Sequence, residues 1–81
     1  GTQTYTWQNS GTTATVNQST SIGAGSATLV LKDANGVQVF SRSLADNGTF
    51  TSTAGVAGAW TVSVVYSSAS ATVNFRLDKA N

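Results

Sequence analysis

The side chains that ordinarily carry chemistry are scarce in this chain. There are three carboxylates, Asp33, Asp46 and Asp78, with no Glu, no His and no Cys, alongside eleven serines and the lysines Lys32 and Lys79. A thiolate nucleophile, an imidazole base and the usual zinc, haem or iron–sulfur sites all need residue types that are missing. Serine without an imidazole partner stays a weak nucleophile, and a glycosidase pair would have to be built from Asp alone. The expectation is a protein that is not an enzyme and holds no cofactor and no metal. Asp33-Ala34-Asn35-Gly36 and Asp46-Asn47-Gly48 are oxygen-rich enough to suggest fragments of a calcium loop, but neither is followed by the later carboxylate such a loop needs. Asx side chains hydrogen-bond their own backbone in turns, so both segments read as turns.

Hydroxyls are the one unusual constellation. The spacing Thr-x-Thr occurs at Thr2/Thr4/Thr6, at Thr13/Thr15 and at Thr49/Thr51/Thr53. In a strand, alternate residues face one side, so each set lies opposite the apolar residues of its own segment. Were the three strands neighbours, these eight threonines would form a charge-free array with rows about 4.8 Å apart and a repeat of about 6.8 Å along each strand. Such an array would suit an ordered surface, ice or a crystalline polysaccharide. Thr is also a favoured solvent-facing strand residue, which accounts for the pattern without a ligand. Tyr5 and Trp7 are the other candidates: on an edge strand an aromatic ring can be a platform for a sugar, although more often it caps the core.

The elements that must position these residues are strands. With 81 residues the chain is one domain, 1–81, and a charged fraction of 9% with net charge +1 is well below the usual ~25%, which argues against a nucleic-acid partner. No apolar run approaches the ~18–20 residues of a membrane span, and no basic-plus-apolar leader opens the chain. A composition rich in Thr, Ser, Asn, Gln and Gly and poor in charge favours an extracellular or cell-surface location. Helical periodicity is missing, whereas period-2 alternation is punctuated by turn residues at regular spacing. The predicted strands are Thr2–Gln8, Thr12–Gln18, Ser26–Lys32, Val37–Leu44, Thr49–Thr53, Ala59–Ser67 and Ala71–Asp78. Val37 and Val39 share one parity and Phe40 and Leu44 the other, and a bulge near Phe40–Ser41 would reconcile them. Ser19–Gly25 and Ser68–Ser70 read as connections, and Trp60 heads the cleanest alternation and is expected in the core.

In strand count and in the segments Gly58-Ala59-Trp60-Thr61-Val62-Ser63-Val64 and Val73-Asn74-Phe75, the chain resembles immunoglobulin-like sandwiches of secreted bacterial proteins, especially the fibronectin type III arrangement. The resemblance implies an all-β, seven-stranded antiparallel sandwich with strands 1-2-5 packed on strands 3-4-6-7; it implies no functional residues. The function expected is a structural, spacer or adhesion module. The alternative is a binding module that recognises ice or a glycan through the Thr-rich sheet or the Tyr5/Trp7 edge. A polysaccharide or a protein would be the partner. The first and fifth strands carry no charge and no Pro, which leaves their sheet edges open to homodimer formation.

Overall fold

The structure, a computed structural model, describes residues 1–80 of the chain and is built from antiparallel strands. These are β1 (Thr2–Asn9), β2 (Ala14–Gln18), β3 (Ser21–Lys32), β4 (Gln38–Ser43), β5 (Gly48–Thr51), β6 (Gly58–Thr72) and β7 (Phe75–Lys79). They form two sheets, ordered β1-β6-β3-β4 and β5-β2-β7. Among the described residues there is no helix, and hence none long and apolar enough to cross a membrane.

The core follows from alternation. Trp60, Val62 and Val64 on β6 and Ala27, Leu29 and Leu31 on β3 face Ala14 and Val16 on β2, and all are buried in one cluster with Val39 and Leu44. Trp60 has no exposed surface. Its indole N–H donates to the Val56 carbonyl at 2.8 Å, and Trp7 meets its ring edge-on with centroids 5.9 Å apart. An aromatic whose one polar atom is satisfied adds area at no desolvation cost. The bulge lies one residue earlier than expected. The β3–β4 register shifts between Leu31 and Lys32, so that Leu31 pairs with Phe40 while Lys32 pairs with Gln38, leaving Val39 as the extra residue. The extra residue turns Val39 and its neighbour Phe40 to the same side, where both pack on the core.

The expected partition of the strands, 1-2-5 over 3-4-6-7, is corrected. The first and last strands have exchanged sheets: β1 pairs with β6, and β7 pairs with β2. The reason lies in two segments read as connections. Ser21–Gly25 is strand, and Ser68–Ser70 lies inside the 15 residues of β6. The register of β3 against β6 slips at Gly23 and slips back beyond Ala24, so Ile22–Ala71 and Ser26–Ser67 are in phase. Gly25 (φ 73) and Ser68 (φ 50) absorb the irregularity. No group there closes a turn, so β6 runs on and crosses to the other sheet beside the chain leaving β2. The Thr20 hydroxyl accepts from the Asn74 N–H at 3.0 Å, and the Ser19 N–H donates to the Asn74 carbonyl at 2.9 Å. The paired chains thus leave one sheet and enter the other as a single ribbon, which is how strands that switch sheets form a corner. With β7 carried to β2, the edge of β6 is left for β1.

Candidate interaction surface

The outer face of the four-stranded sheet is set by the residues that alternate with the core. Registers place Thr2, Val65, Thr28 and Ser43 side by side across four strands. The next row is Thr4, Ser63, Val30 and Ser41, and the third begins Thr6, Thr61 and Lys32. Each of these side chains lies opposite the side that carries Trp60, Val62, Leu29 and Leu31, so the same alternation that builds the core builds this face. Hydroxyls and methyls fill the rows, and Lys32 is the one charge in them. The Thr4 and Ser63 hydroxyls lie 3.2 Å apart, which shows that adjacent strands bring these groups within hydrogen-bond reach. Val65 is 42% exposed in the same face.

The three-stranded sheet presents a different outer face. Thr15 lies between Thr51 and Asp78, and Asn17 between Thr49 and Arg76. The Thr49 hydroxyl donates to Asn17 Oδ1 at 2.6 Å, and Arg76 Nε meets Asp78 Oδ2 at 2.9 Å. Four of the six side chains in these rows are thus committed to one another. A cleft of about 410 Å³ opens at one end, lined by Asn17, Ser19, Asn74, Phe75 and Arg76.

The eight threonines singled out from spacing therefore do not share a surface. Thr2, Thr4 and Thr6 belong to the four-stranded sheet, whereas Thr13, Thr15, Thr49 and Thr51 go with β2 and β5 in the three-stranded one. Thr53 stands at the seam, its hydroxyl donating to the Val39 carbonyl at 3.1 Å. Their parities are as expected, and Thr15 does lie beside Thr51; the β1 threonines have other neighbours, because β1 pairs with β6 rather than β2. In exchange the structure brings Thr61, Ser63, Val65, Thr28, Val30, Ser41 and Ser43 to the β1 threonines. The signal for these was present, since Thr61-x-Ser63-x-Val65 and Thr28-x-Val30 alternate with the core residues, but the Thr-x-Thr spacing does not capture them.

Tyr5 and Trp7 share the inner side of β1, an edge strand. Trp7 is half-buried against Trp60, while Tyr5 is 48% exposed. Partial burial pushes its phenol pKa up from the ordinary value. Of the two rings, Tyr5 is the more exposed.

The two Asx-rich segments are turns whose Asp33, Asp46 and Asn47 side chains bond within the chain. Asp33 Oδ1 accepts the N–H groups of Asn35 and Val37, both at 2.9 Å, and Oδ2 accepts that of Val56 at 3.0 Å. These bonds, the Val56 N–H foremost, hold the Asp33 carboxyl below its ordinary pKa. Asp33 is buried because the β5–β6 connection folds over it. The Asn47 amide brackets the Thr20 backbone, accepting its N–H at 3.0 Å and donating to its carbonyl at 3.2 Å. Asp46 pairs with Arg42 at 3.2 Å, whose guanidinium carbon stands 3.9 Å over the Phe50 ring centre. No protein-family model matches this chain, and neither the curated proteins nor the solved structures searched return a match.

Proposed function

We propose that this chain is a non-catalytic extracellular module with a structural, spacer or adhesion role, a variant of the immunoglobulin-like sandwich in which the two terminal strands have traded sheets. One observation carries the reading: each of the three carboxylates is already engaged. Asp33 is held by three backbone N–H groups, Asp46 by Arg42 and Asp78 by Arg76. A general acid or base needs a free carboxyl facing a cleft, and these serve the chain's own turns and surface. The composition, rich in hydroxyls and amides and poor in charge, supports the extracellular placement.

A second reading is favoured by the four-strand rows of the outer face: recognition of an ordered surface or polysaccharide. An uncharged lattice of hydroxyls is met best by rows that are themselves uncharged, as the first two of this face are, and spaced by strand geometry, about 4.8 Å by 6.8 Å. Sedimentation of the protein with insoluble polysaccharide particles, and ice-growth inhibition, separate the two readings. The second predicts retention that Val30→Lys abolishes from the middle of the face, with the fold intact by circular dichroism. Wild type that neither co-sediments nor slows ice growth leaves the structural role standing alone.

A further inference from the structure

The four edges of the two sheets are not alike. β4 is interrupted by its bulge and carries Arg42, and its Val39 carbonyl already accepts from both the N–H and the hydroxyl of Thr53. β5 has only four residues, and β7 has five, of which Arg76, Asp78 and Lys79 are charged. These are the usual means by which an edge avoids pairing with another chain. β1 has none of them. It is eight residues long, holds one unbroken register against β6, and contains neither charge nor Pro.

The hydrogen bonds identify which of its backbone groups are open. The N-terminal amine of Gly1 donates to the Tyr66 carbonyl at 3.0 Å, and the Tyr66 N–H donates to the Gly1 carbonyl at 2.7 Å. Gly1 and Tyr66 are therefore a hydrogen-bonded pair, and in an antiparallel ladder such pairs alternate. Gln3, Tyr5 and Trp7 accordingly turn their N–H and C=O groups toward β6. Thr2, Thr4, Thr6 and Gln8 turn theirs outward, along the rim where the sheet order ends.

We infer that β1 pairs edge to edge, antiparallel, with β1 of a second copy of this chain. The register follows from the open groups. A two-fold axis through Tyr5 sets Thr4 opposite Thr6 of the second copy and Thr2 opposite its Gln8. Every outward-facing residue then has a hydrogen-bonded partner, about eight bonds at two per pair. Shifting the axis to Thr4 leaves Gln8 without one. The strand suits itself as a partner because it brings no charge to the contact and because Tyr5, exposed on the inner side, meets its own copy across the axis. An isologous contact of this kind closes on itself, so the product is a dimer. The dimer joins two four-stranded sheets into one, and the Thr2/Thr4/Thr6 rows become the middle of a doubled hydroxyl face. The contact forms whether or not that face takes a ligand.

Cysteine cross-linking in this cysteine-free chain reads both the contact and its register. At the two-fold, Tyr5 occupies a non-hydrogen-bonded site with Cα atoms about 4.5 Å apart, within disulfide range. Tyr5→Cys alone should give a covalent dimer under mild oxidation, while Val37→Cys in the exposed β3–β4 turn should not. Thr4→Cys and Thr6→Cys should cross-link when mixed and not separately. In parallel, analytical ultracentrifugation should show wild type dimerising as concentration rises into the millimolar range, with Thr4→Lys remaining monomeric. A wild type that stays monomeric at that concentration overturns the inference, and so does self-linking of Thr4→Cys in place of Tyr5→Cys.

Discussion

Asp33–Gly36 and Ser67–Ser70 are both short polar segments following an alternating strand, and they send the chain to different places. At the first, the Asp33 carboxylate collects three N–H groups, Gly36 takes φ 80, and the chain doubles back from β3 into β4. At the second, Ser68 takes φ 50 opposite Gly25, the register slips and recovers, and the chain continues into the other sheet. A reversal needs a group that captures the backbone donors freed where pairing stops. A serine-rich segment without such a group stays paired and merely bends. The topology turns on this difference: β7 joins β2 because β6 does not reverse, and β1 takes the edge that a reversed β7 would have covered.

The largest effect should come from breaking the bend. A Cβ at Gly25 would run into the carbonyls of Ser67 and Ser68 in the opposing strand, in a backbone conformation that L side chains rarely adopt. Overpacking and backbone strain each cost about 1–3 kcal/mol. Gly25→Ala should therefore lose about 3 kcal/mol or more, roughly 12–24 °C of Tm in a domain of this size. Thermal unfolding by circular dichroism measures it. A variant melting within a few degrees of wild type would mean that the two strands are not paired this closely at the corner.

The turn should respond to charge and to acid. In Asp33→Asn the amide cannot accept at both positions, so one of the N–H groups of Asn35, Val37 or Val56 meets a donor. The fall in Tm at neutral pH should be smaller than that of Gly25→Ala. Because the folded-state pKa of Asp33 is lowered, the stability it contributes is fully present above the unfolded value of about 3.9 and is lost as pH falls through the folded one. Wild type and variant should converge in acid, below about pH 4, and differ by a constant amount between pH 5 and 8. Melting curves across that range are the check, and a gap that persists unchanged to pH 2 would show that the carboxylate is not the group holding the turn.

The contrast between turn and bend also explains what was legible in the sequence. Side-chain parity is local, so the alternation of Trp60, Val62 and Val64, the inward Ala14 and Val16, and the outward threonines could be read from spacing alone. The Asp33–Gly36 turn was legible for the same reason, since two of its donors, the Asn35 and Val37 N–H groups, lie within four residues of the acceptor; the Val56 donor was not legible. Ser21–Gly25 was not, because Ser21, Gly23, Ala24 and Gly25 look like a loop until the strand opposite is known. The sheet assignment of β1 was hidden further still. Nothing in Thr2–Asn9 distinguishes β2 from β6 as its partner, and the choice depends on a crossing some sixty residues away. The composition of the hydroxyl face inherited that error, right in which side chains point outward and wrong in which strands carry them.

Gly36→Ala isolates the backbone part of the turn. Nothing lies within 4 Å of a Cβ there, so only the strain at φ 80 is charged against the variant. The left-handed region costs an L residue about 1–2 kcal/mol, toward the upper end at φ 80, which lies beyond the usual window of about +50 to +70°. The stiffer unfolded chain of the variant offsets about 0.5–1 kcal/mol of this, so a net loss of about 1 kcal/mol should be measured by urea denaturation, with an unchanged m-value. A cost near zero would mean that the turn relaxes to another geometry once the glycine is gone.

Ser68→Gly is the mirror experiment at the bend, and the smallest effect. Ser68 is the one described non-glycine residue with a positive φ, and it is exposed. Glycine relieves strain of about 1 kcal/mol at φ 50, but it also enlarges the conformational freedom of the unfolded chain, which costs roughly 0.5–1 kcal/mol. The two terms nearly cancel, so stability should change by no more than about 0.5 kcal/mol in either direction. Near-neutrality here beside a measurable loss at Gly36 would show that the turn depends on its glycine whereas the bend rests on the pairing around it. A large loss on Ser68→Gly would instead mean that the serine side chain holds the bend in place, and the distinction between the two segments would fail.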